Sequence, residues 1–456
     1  MPDLVFTAAT RGDMPFIEQT IREFNLDEEN LEPDQFVTLW KPGRMIAFGR
    51  IKPYQRTYEL GAVAVVEEER GQGLGEAVIR ELIRRFPQDE VYITTNLPAY
   101  YERLGFLRTT ILPDELVAKI ERIRALEGVV GMVYDRRIEA LPTLPDVYRA
   151  KHLLESHLPR TPLVHSPALS RELGFEAHLK LESLQPIGAF KVRGGVTLAA
   201  GLADDAREHG IIGASTGNHG QSLAYGANLL GIPCIIAMPV ESNPMKVESM
   251  RALGADVAFH GDNFEEARLW AEEHARETGM RYIHHVNTPE LVAGVATISI
   301  EVLEDLPDVD AIVTPIGGGS GAVGHCIVAK TLRPGVEVIG AQAAGAPAVY
   351  NSWKERTLQE AQIDTAAEGL ATGHAYYVPV RTFIDHLDDM VIVTENEIND
   401  AVVLLARTAH IIAEESGAAT TAAAVQLAER LQGKKVAIIV SGGNLTLDSL
   451  RRLLNA

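Results

Sequence analysis

From about residue 160 onward, this chain contains short, uninterrupted apolar runs that end in polar or glycine-rich loops, each followed by a helix-like segment. Four such runs cover residues 211–214, 234–238, 311–313 and 436–440. Strands that are buried on both faces lack the polar alternation of half-exposed strands. Their alternation with helices predicts parallel α/β structure with helices on both faces. Ligands of such sheets bind at the carboxyl ends of the strands, so the loops after these runs are candidate site segments.

The length and a change of composition indicate more than one domain. A chain of 456 residues is too long for one ordinary core and fits two or three domains. Before residue 136, strand-like runs at 45–49 and 62–66 alternate with amphipathic helix patterns such as 76–86. We expect an N-terminal α/β domain over residues 1–135, a linker at 136–150 and a second domain over 151–456, made of two α/β lobes.

Charge and cysteine content narrow the class of protein. The formal net charge of −20 argues against nucleic acid and anionic membranes as partners. No apolar run reaches the roughly 20 residues that span a bilayer. The two cysteines, Cys234 and Cys326, lie in apolar stretches, so a reducing compartment is expected. The N-terminus lacks the order of a signal peptide, and we expect a cytoplasmic protein.

Lys191 is flanked by Phe190 and Val192, with glycines on both sides of the run 188–195. An amine in partly apolar surroundings has a lowered pKa and becomes a usable nucleophile or base. By itself the run fits a buried structural lysine equally well. The choice depends on whether other segments supply a phosphate cradle, a ring partner and a carboxylate site.

The segment 214–221 follows an apolar run and begins a helix. Its hydroxyls, its asparagine amide and its backbone N–H groups at a helix N-terminus suit a carboxylate. In the alternative, Ser215 or Thr216 only caps the helix, which does not account for the Gly-Asn-His-Gly-Gln that follows. The candidate carboxylate-binding residues are Ser215, Thr216, Gly217, Asn218 and His219.

Two further loops follow strand-like runs. The segment 315–321 contains four glycines and a serine, whose consecutive amides and hydroxyl form a good phosphate nest. No Gly-Lys-Ser/Thr follows, so this is not a Walker loop. The segment 441–444, Ser-Gly-Gly-Asn, comes directly after a buried run and would by itself be a turn.

These four segments, in this order, resemble the fold-type-II pyridoxal-phosphate enzymes, in particular the threonine/serine dehydratase and serine racemase group. The resemblance runs from about residue 160 to the C-terminus and implies a tryptophan-synthase-β-like fold with pyridoxal 5'-phosphate on Lys191 as a Schiff base. It also implies Phe190 beside the ring, Asn218 on the phenolic oxygen and Ser441 at the pyridine nitrogen. The other cofactor residues that it implies are Gly317, Gly318, Gly319, Ser320, Gly321 and Gly369.

The resemblance implies an ammonia-lyase. Such an enzyme eliminates water and ammonia from a small β-hydroxy amino acid, L-threonine or L-serine first, and leaves a 2-oxo acid. Lys191 would remove the Cα proton, and the loop 215–219 would take the substrate carboxylate. Ser441 is a neutral partner for the pyridine, which suits prompt loss of a β-hydroxyl.

Several positions depart from the group's pattern. The dehydratases commonly have alanine at the position of Thr216, and the racemases have a serine that acts on the second face of the substrate. A racemase of serine or hydroxyaspartate therefore stays open, as does a Thr216 that only caps the helix. Ala189 replaces a serine, which removes one phosphate contact. The stretch 342–348 lacks carboxylates, so we expect no Mg²⁺ or Ca²⁺ site of the family type.

A pair of histidines, His284 and His285, suggests a metal site. Neighbouring side chains do not share a helix face, and no third ligand is evident. We therefore expect these two residues to be structural and predict no metal site.

The N-terminal domain has its own anion-site pattern. The loop 70–75 is glycine-rich and lies between a strand-like run and a helix, where a phosphate can bind. With residues 100–106 it resembles GNAT-type N-acetyltransferases. Arg70, Gly73 and Gly75 match the first motif, and Tyr101 begins the later Tyr-x-x-Leu-Gly-Phe motif. The resemblance implies acetyl-CoA, with its pyrophosphate on the loop amides and Tyr101 as the acid for the CoA thiolate.

The relation between the two activities is open. The acetyltransferase is the working enzyme in one alternative, with the pyridoxal-phosphate half as an amino-acid sensor. In another, the GNAT half is a non-catalytic assembly domain. We expect a small amino acid as the substrate and a homodimer or homotetramer as the assembly.

Overall fold

The computed structural model describes residues 4–122, 128–202 and 204–454. The chain divides into two compact units. The first comprises residues 1–139 and 356–358, and the second comprises residues 140–355 and 359–456.

The first unit is a mostly antiparallel sheet with helices. Its elements are β1 (Val5–Ala8), α1 (Met14–Glu23), β2 (Phe36–Lys41), β3 (Arg44–Pro53), β4 (Tyr58–Val65), α2 (Leu74–Arg85), β5 (Glu90–Thr95), α3 (Pro98–Glu102), β6 (Leu107–Thr109), α4 (Asp114–Arg122) and β7 (Val130–Asp135). The strand order is β1-β2-β3-β4-β5-β7-β6, and the two-residue strand Thr357–Leu358 pairs in parallel with β6 at the edge. The apolar face of α2 packs on the sheet, as expected for an amphipathic helix.

Strands β4 and β5 are parallel neighbours that pair only at Glu59 and Tyr92. β4 continues to Val65 and β5 to Thr95. Within the described residues, the carboxyl-terminal parts of these two strands have no ladder pairs with each other. The strands therefore separate at the end from which the loop 70–75 departs.

The second unit alternates strands and helices. Its first elements are α5 (Leu144–Leu154), β8 (Leu163–His165), α6 (Pro167–Leu173), β9 (Glu176–Leu181), α7 (Val192–Gly201), α8 (Asp204–His209), β10 (Ile211–Ala214), α9 (Asn218–Leu229), β11 (Cys234–Met238), α10 (Pro244–Ala252), β12 (Asp256–Phe259), α11 (Phe264–Thr278) and β13 (Arg281–Tyr282). The later elements of the chain are α12 (Pro289–Asp305), β14 (Ala311–Pro315), α13 (Ser320–Leu332), β15 (Glu337–Ala343), α14 (Ala348–Glu355), β16 (Thr357–Leu358), α15 (Tyr377–His386), β17 (Asp389–Val393), α16 (Glu395–Ala409), α17 (Glu415–Gln426), α18 (Ala428–Leu431), β18 (Lys435–Val440) and α19 (Leu447–Leu454). Of these, β16 is the edge strand of the first unit, and the others belong to the second.

The strands of the second unit form two sheets, one in each of two lobes. The smaller sheet has the order β12-β11-β10-β13 and is parallel throughout. The larger has the order β17-β15-β14-β18-β9-β8, in which only β8 is antiparallel to its neighbour. All four predicted apolar runs are strands, two in each sheet. The predicted α/β fold with two lobes is confirmed.

The helices that support the site pack backbone to backbone. A Cβ atom at Gly195 of α7 would lie 2.0 Å from the carbonyl oxygen of Ser222 in α9, and one at Gly294 of α12 would lie 2.4 Å from the carbonyl oxygen of Arg193. Only glycine allows approaches this close. They hold α7 in place, and its N-cap residue is Lys191.

Part of the stretch expected to be a linker is helical. Thr143 and Asp146 form a capping box at the start of α5, and Pro145 lies in its first turn. The buried face of α5 includes Val147 and Leu154 and belongs to the second unit. The limits 1–135, 136–150 and 151–456 stay predictions.

Over the described ranges, no helix has both the length and the apolar character needed to cross a membrane.

Candidate functional site

Lys191 lies at the N-terminus of α7, partly buried. Its Nζ atom is 5.1 Å from the centroid of the Phe190 ring. In the described part of the chain it has no carboxylate partner, and burial lowers its pKa to about 8. A substantial fraction of this amine is therefore neutral near physiological pH, as a nucleophile or base requires.

A second buried lysine of this unit, Lys180, has the contacts of a structural residue. Lys180 is fully buried, and its Nζ donates to Glu301 at 2.5 Å and to the carbonyl oxygen of Thr161 at 2.6 Å. Arg193 completes this ion network with bonds to Glu182 and Glu301. The network ties β9, α7 and α12 together. Lys191 is outside it, so a paired structural lysine does not describe Lys191.

The Lys191 segment is paired with the loop after β18. The backbone N–H of Phe190 donates to the carbonyl oxygen of Ser441 at 2.9 Å, and that of Gly443 donates to Gly188 at 2.9 Å. Ala189 and Gly442 form the antiparallel bridge between these two bonds. Ser441, at 4% exposure, is therefore held beside Lys191.

The predicted phosphate nest is a loop in which side chains have no room. A Cβ atom at Gly317 would lie 2.3 Å from the carbonyl oxygen of Gly369, and one at Gly318 would lie 2.5 Å from Cγ2 of Val286. Gly319 has φ +102° and is the N-cap of α13, where no side chain caps the helix. The first amides of α13 are thus available to an anion, and Ser320 adds a hydroxyl.

Phe190 and Gly369 both reach this nest. A Cβ atom at Gly321 would lie 3.1 Å from Cε2 of Phe190. The backbone N–H of Gly369 donates to the hydroxyl of Ser416 at 2.8 Å. Phe190, Val286 and Gly369 come from three distant parts of the chain, and all three lie against this loop.

Helix α9 begins at Asn218, within the predicted carboxylate segment 215–219. Its N-cap is Gly217, with no side-chain cap, and the hydroxyl of Ser215 accepts a bond of 3.2 Å from the N–H of Gly217. The alternative in which Ser215 or Thr216 caps the helix is therefore wrong, because neither occupies the N-cap position. The Thr216 hydroxyl has no hydrogen-bond partner among the described residues, and this side chain is partly exposed.

His219 is buried in the first turn of α9, at 7% exposure. Burial, followed by the charge of Lys191, holds its pKa well below the usual range. Its Nε2 atom is buried with no hydrogen-bond partner among the described residues. A buried polar atom without a partner is costly, which indicates that a ligand group completes it.

Asn218 connects the two lobes at the site. Its Nδ2 donates to Oε1 of Glu414 at 2.8 Å, and its Oδ1 accepts from Nδ2 of Asn444 at 2.8 Å. Burial raises the pKa of Glu414 to about 7. Asn218 is thus fixed in orientation by an acid that titrates near neutrality.

Three residues at this site were missed from the sequence. Glu414 and Ser416 lie in the run 414–417, Glu-Glu-Ser-Gly, just before and within the first turn of α17. The signal that could have identified them in the sequence is an acid and a hydroxyl beside a glycine at the start of a helix. His285, expected to be structural, lies beside Gly318 of the nest.

The loop 70–75 of the first unit, predicted to bind an anion, follows β4 and ends in the first turn of α2. Gly71 and Gly73 have positive φ, and Gly73 is the N-cap of α2 without a side-chain cap. The Nε of Arg70 donates to the carbonyl oxygen of Val65 at 3.2 Å, and its guanidinium lies 4.8 Å from the Phe24 ring centroid. The loop amides, more than the Arg70 side chain, are therefore open to a phosphate.

The two neighbouring tyrosines occupy different places. A Cβ atom at Gly75 would lie 3.0 Å from the hydroxyl oxygen of Tyr100. Tyr101 is buried, with its ring edge-on to Tyr100 and Phe106. Burial raises the pKa of Tyr101 above its ordinary value, so its hydroxyl stays protonated.

Comparison with known proteins identifies both halves. The pyridoxal-phosphate-dependent enzyme family matches residues 154–442. The chain belongs to this family. The acetyltransferase (GNAT) family matches residues 6–106, so the N-terminal part is a GNAT domain. Both predicted memberships are confirmed.

Three individual proteins show which members of the pyridoxal-phosphate-dependent family this chain is similar to. The L-threonine ammonia-lyase of Thermotoga maritima is 37% identical over 314 residues, which cover 69% of this chain and 78% of that protein. The processed form of threonine deaminase isoform 2 from Solanum lycopersicum superposes with a TM-score of 0.64 and 27% identity, over 69% of this chain and 89% of that one. Serine racemase from Dictyostelium discoideum has a TM-score of 0.64 and 31% identity, over 67% of this chain and 99% of that one.

The residues present fit the cofactor of this family. In the nest, Cβ atoms at 317–319 would overlap neighbouring residues, so the glycines allow this close packing, and the first amides of α13 have no side-chain cap. The amine of Lys191 has a lowered pKa, and His219 has a buried nitrogen without a partner. Among the described residues, no group of three or more His, Cys, Asp or Glu side chains is placed to hold a metal ion.

Proposed function

We propose that this protein is a pyridoxal-phosphate-dependent ammonia-lyase. It eliminates water from a small β-hydroxy amino acid, L-threonine or L-serine first, and hydrolysis of the enamine product takes up one water and leaves a 2-oxo acid and ammonia. The observation that carries the proposal is Lys191, an amine with a lowered pKa and no described carboxylate partner, next to Phe190, which is hydrogen-bonded to Ser441 and borders Gly321. The similarity to the L-threonine ammonia-lyase of Thermotoga maritima supports the substrate class.

In this proposal residues from several segments would hold the cofactor. The amides of residues 317–320 and the Ser320 hydroxyl would bind its phosphate, and Phe190 and Gly369 would lie beside its ring. Ser441 would serve the ring nitrogen, and Asn218 would serve the phenolic oxygen. When bound, the cofactor supplies an electron sink for the substrate Cα.

Proton transfer and binding of the substrate carboxylate are carried out by side chains and backbone amides of this chain. The neutral amine of Lys191 accepts the Cα proton, which its lowered pKa permits near neutral pH. The amides at the N-terminus of α9 hold the substrate carboxylate, and Ser215 orients this loop through Gly217. The buried Nε2 of His219 gains a partner when the site is filled.

The test uses Lys191 directly. Borohydride should fix the cofactor on Lys191 in the purified protein, and peptide mass analysis should locate it. L-threonine and L-serine should yield 2-oxo acid and ammonia in equal amounts. Full activity in Lys191→Ala would refute the proposal, and a broad amino-acid screen for 2-oxo acid release would identify the best substrate.

A racemase is the second candidate, and one observation favours it. The Thr216 hydroxyl does not cap α9 and has no partner among the described residues, so it is available to serve the second face of the substrate. The candidate substrates are serine and hydroxyaspartate. Substantial D-serine with little pyruvate, after incubation with L-serine, would favour this candidate over the lyase.

For the first unit we propose acetyl-CoA as the ligand. The support is the separation of β4 from β5 beside the loop 70–75, with Gly73 and Gly75 at the helix start and Tyr101 as the acid. Calorimetric titration with acetyl-CoA tests this proposal. Heat of binding with no transfer to any amine would favour a sensing or assembly role, and no heat would refute acetyl-CoA binding.

We also propose that the protein assembles as a homodimer or homotetramer and is cytoplasmic. Its domain limits are proposed at 1–135 and 151–456, with a linker at 136–150. Light scattering on the purified protein measures the assembly.

A further inference from the structure

His285 is a histidine whose surroundings differ from those of its neighbour His284. The Nδ1 of His284 accepts from the backbone N–H groups of Val286 at 3.1 Å and of Asn287 at 3.2 Å. These bonds hold the turn before α12. For the ring nitrogens of His285, the described residues contain no hydrogen-bond partner, so this side chain has a donor that the fold does not use.

The edge of the His285 ring faces the nest. A Cβ atom at Gly318 would lie 3.7 Å from both Cδ2 and Nε2 of His285. Gly318 is the central glycine of the nest, so Nε2 lies beside the backbone whose amides would hold an anion.

The ring is held in this orientation by its packing. It stacks on His284, with centroids 4.9 Å apart and planes within 10°. Tyr376 and Phe264 meet it edge to face, at 5.3 Å and 6.0 Å. A donor on a ring fixed this way loses little entropy when it binds.

The imidazole is neutral at physiological pH. Burial, then the charges of Lys191 and Arg268, lower the pKa of His285 to about 3. A neutral imidazole carries one N–H donor. The tautomer with its proton on Nε2 presents that donor to an anion without bringing a positive charge next to Lys191.

We propose that the imidazole of His285 donates a hydrogen bond to the phosphate group held by the nest at residues 317–320. This inference rests on the proposed function, because it takes the occupant of the nest to be the cofactor phosphate. It makes His285 a cofactor-binding residue contributed by the turn before α12, outside the four segments that resemble the family.

Two substitutions separate the donor from the ring. His285→Phe keeps an aromatic ring against His284 and Tyr376 but has no N–H. His285→Gln loses the ring but keeps an N–H donor. His260→Phe is the matched control, since His260 also stacks on an aromatic ring, that of Trp270 at 5.3 Å, and has no described contact with the nest. Thermal unfolding of each variant checks that it folds.

The measurements are the dissociation constant of pyridoxal phosphate, by equilibrium dialysis, and the ³¹P resonance of the bound cofactor as a function of pH. We expect His285→Phe to weaken cofactor binding by about tenfold or more and to shift the ³¹P titration to higher pH, because the dianion loses a donor. His285→Gln should recover part of both effects, and His260→Phe should match the wild type.

The outcomes distinguish this inference from the proposed function. A wild-type protein that binds no pyridoxal phosphate and shows no borohydride adduct on Lys191 refutes the proposed function. Cofactor bound on Lys191, with the same affinity and ³¹P titration in His285→Phe as in the wild type, refutes the role of His285 alone. A His285→Phe effect confined to the KM of dicarboxylic amino acids would also refute it, since the donor would then serve the substrate.

Discussion

The side-chain amide of Asn218 donates a hydrogen bond of 2.8 Å to the carboxylate of Glu414, across the site between the two lobes of the second unit. A Cβ atom at Gly442 would lie 2.1 Å from the same carboxylate oxygen, so a glycine at 442 is needed for Glu414 to be there. Glu414 was not among the predicted site residues, but its carboxylate orients Asn218, which was.

Glu414→Gln should change stability in a pH-dependent way. The pKa of Glu414 is about 7 in the folded chain, against 4.5 for an ordinary glutamate, so the folded state binds more protons between these values and loses stability as the pH rises through them. The glutamine variant keeps an acceptor for Asn218 and cannot ionise. Urea unfolding should show it more stable than the wild type by roughly 1–3 kcal/mol at pH 8, with no gain at pH 4. Glu429→Gln, at an exposed position of α18, is the control.

The reactivity of Lys191 should titrate near pH 8. Only the neutral amine attacks a carbonyl, so the rate of pyridoxal-phosphate incorporation should rise with pH and level off above about 8, its pKa here. Stopped-flow absorbance measures this rate, and Lys191→Ala provides the blank. A rate that still rises near pH 10.5, the ordinary pKa of a lysine, would contradict the lowered pKa.

Gly317→Ala should damage the nest. Its Cβ would lie 2.3 Å from the carbonyl oxygen of Gly369, and backbone must shift to relieve that overlap, at a cost of roughly 1–3 kcal/mol. We expect a lower unfolding midpoint and weaker cofactor binding. Gly335→Ala is the matched control, since no atom lies within 4 Å of its Cβ position. Equal behaviour of the two variants would show that the nest has room for a side chain.

Thr216→Val tests the second face of the substrate. Because the Thr216 hydroxyl makes no described hydrogen bond, its loss should leave the unfolding temperature nearly unchanged. If it acts as an acid or base, interconversion of L- and D-serine should fall by at least about tenfold relative to 2-oxo acid formation. Chiral chromatography and an oxo-acid assay on the same samples give both rates. An unchanged ratio would exclude Thr216 from racemisation.

The two tyrosines of the first unit should separate binding from transfer. The Tyr100 hydroxyl borders Gly75, so Tyr100→Phe should weaken acetyl-CoA binding in calorimetry. The Tyr101 hydroxyl is kept protonated by burial, so Tyr101→Phe should retain that binding and lower the rate of CoA thiol release with an amine acceptor. The reverse pattern would exchange the two roles.

Local sequence was enough to predict the elements around the site. The apolar runs at 211–214 and 436–440 are strands β10 and β18, because continuous apolar stretches bounded by turn residues have few alternatives to a doubly buried strand. Glycine-rich loops after such strands also predicted the nest and the loop of Ser215. These inferences depend on residues that are neighbours in the chain.

Only the tertiary structure could place residues that meet across long separations. Examples are the pairing of Phe190 with Ser441, the Gly369 carbonyl against Gly317, the bond from Asn218 to Glu414, and His285 beside Gly318. The strand Thr357–Leu358 in the sheet of the first unit is another. The sequence by itself thus determined the order of the strands and helices and the residue types in the site loops, because hydrophobic periodicity and turn chemistry act locally. Only the tertiary packing decided which distant residues contact each other. The pKa of a side chain, and whether it has an unused donor, depend on these contacts because they follow from which groups the fold buries together.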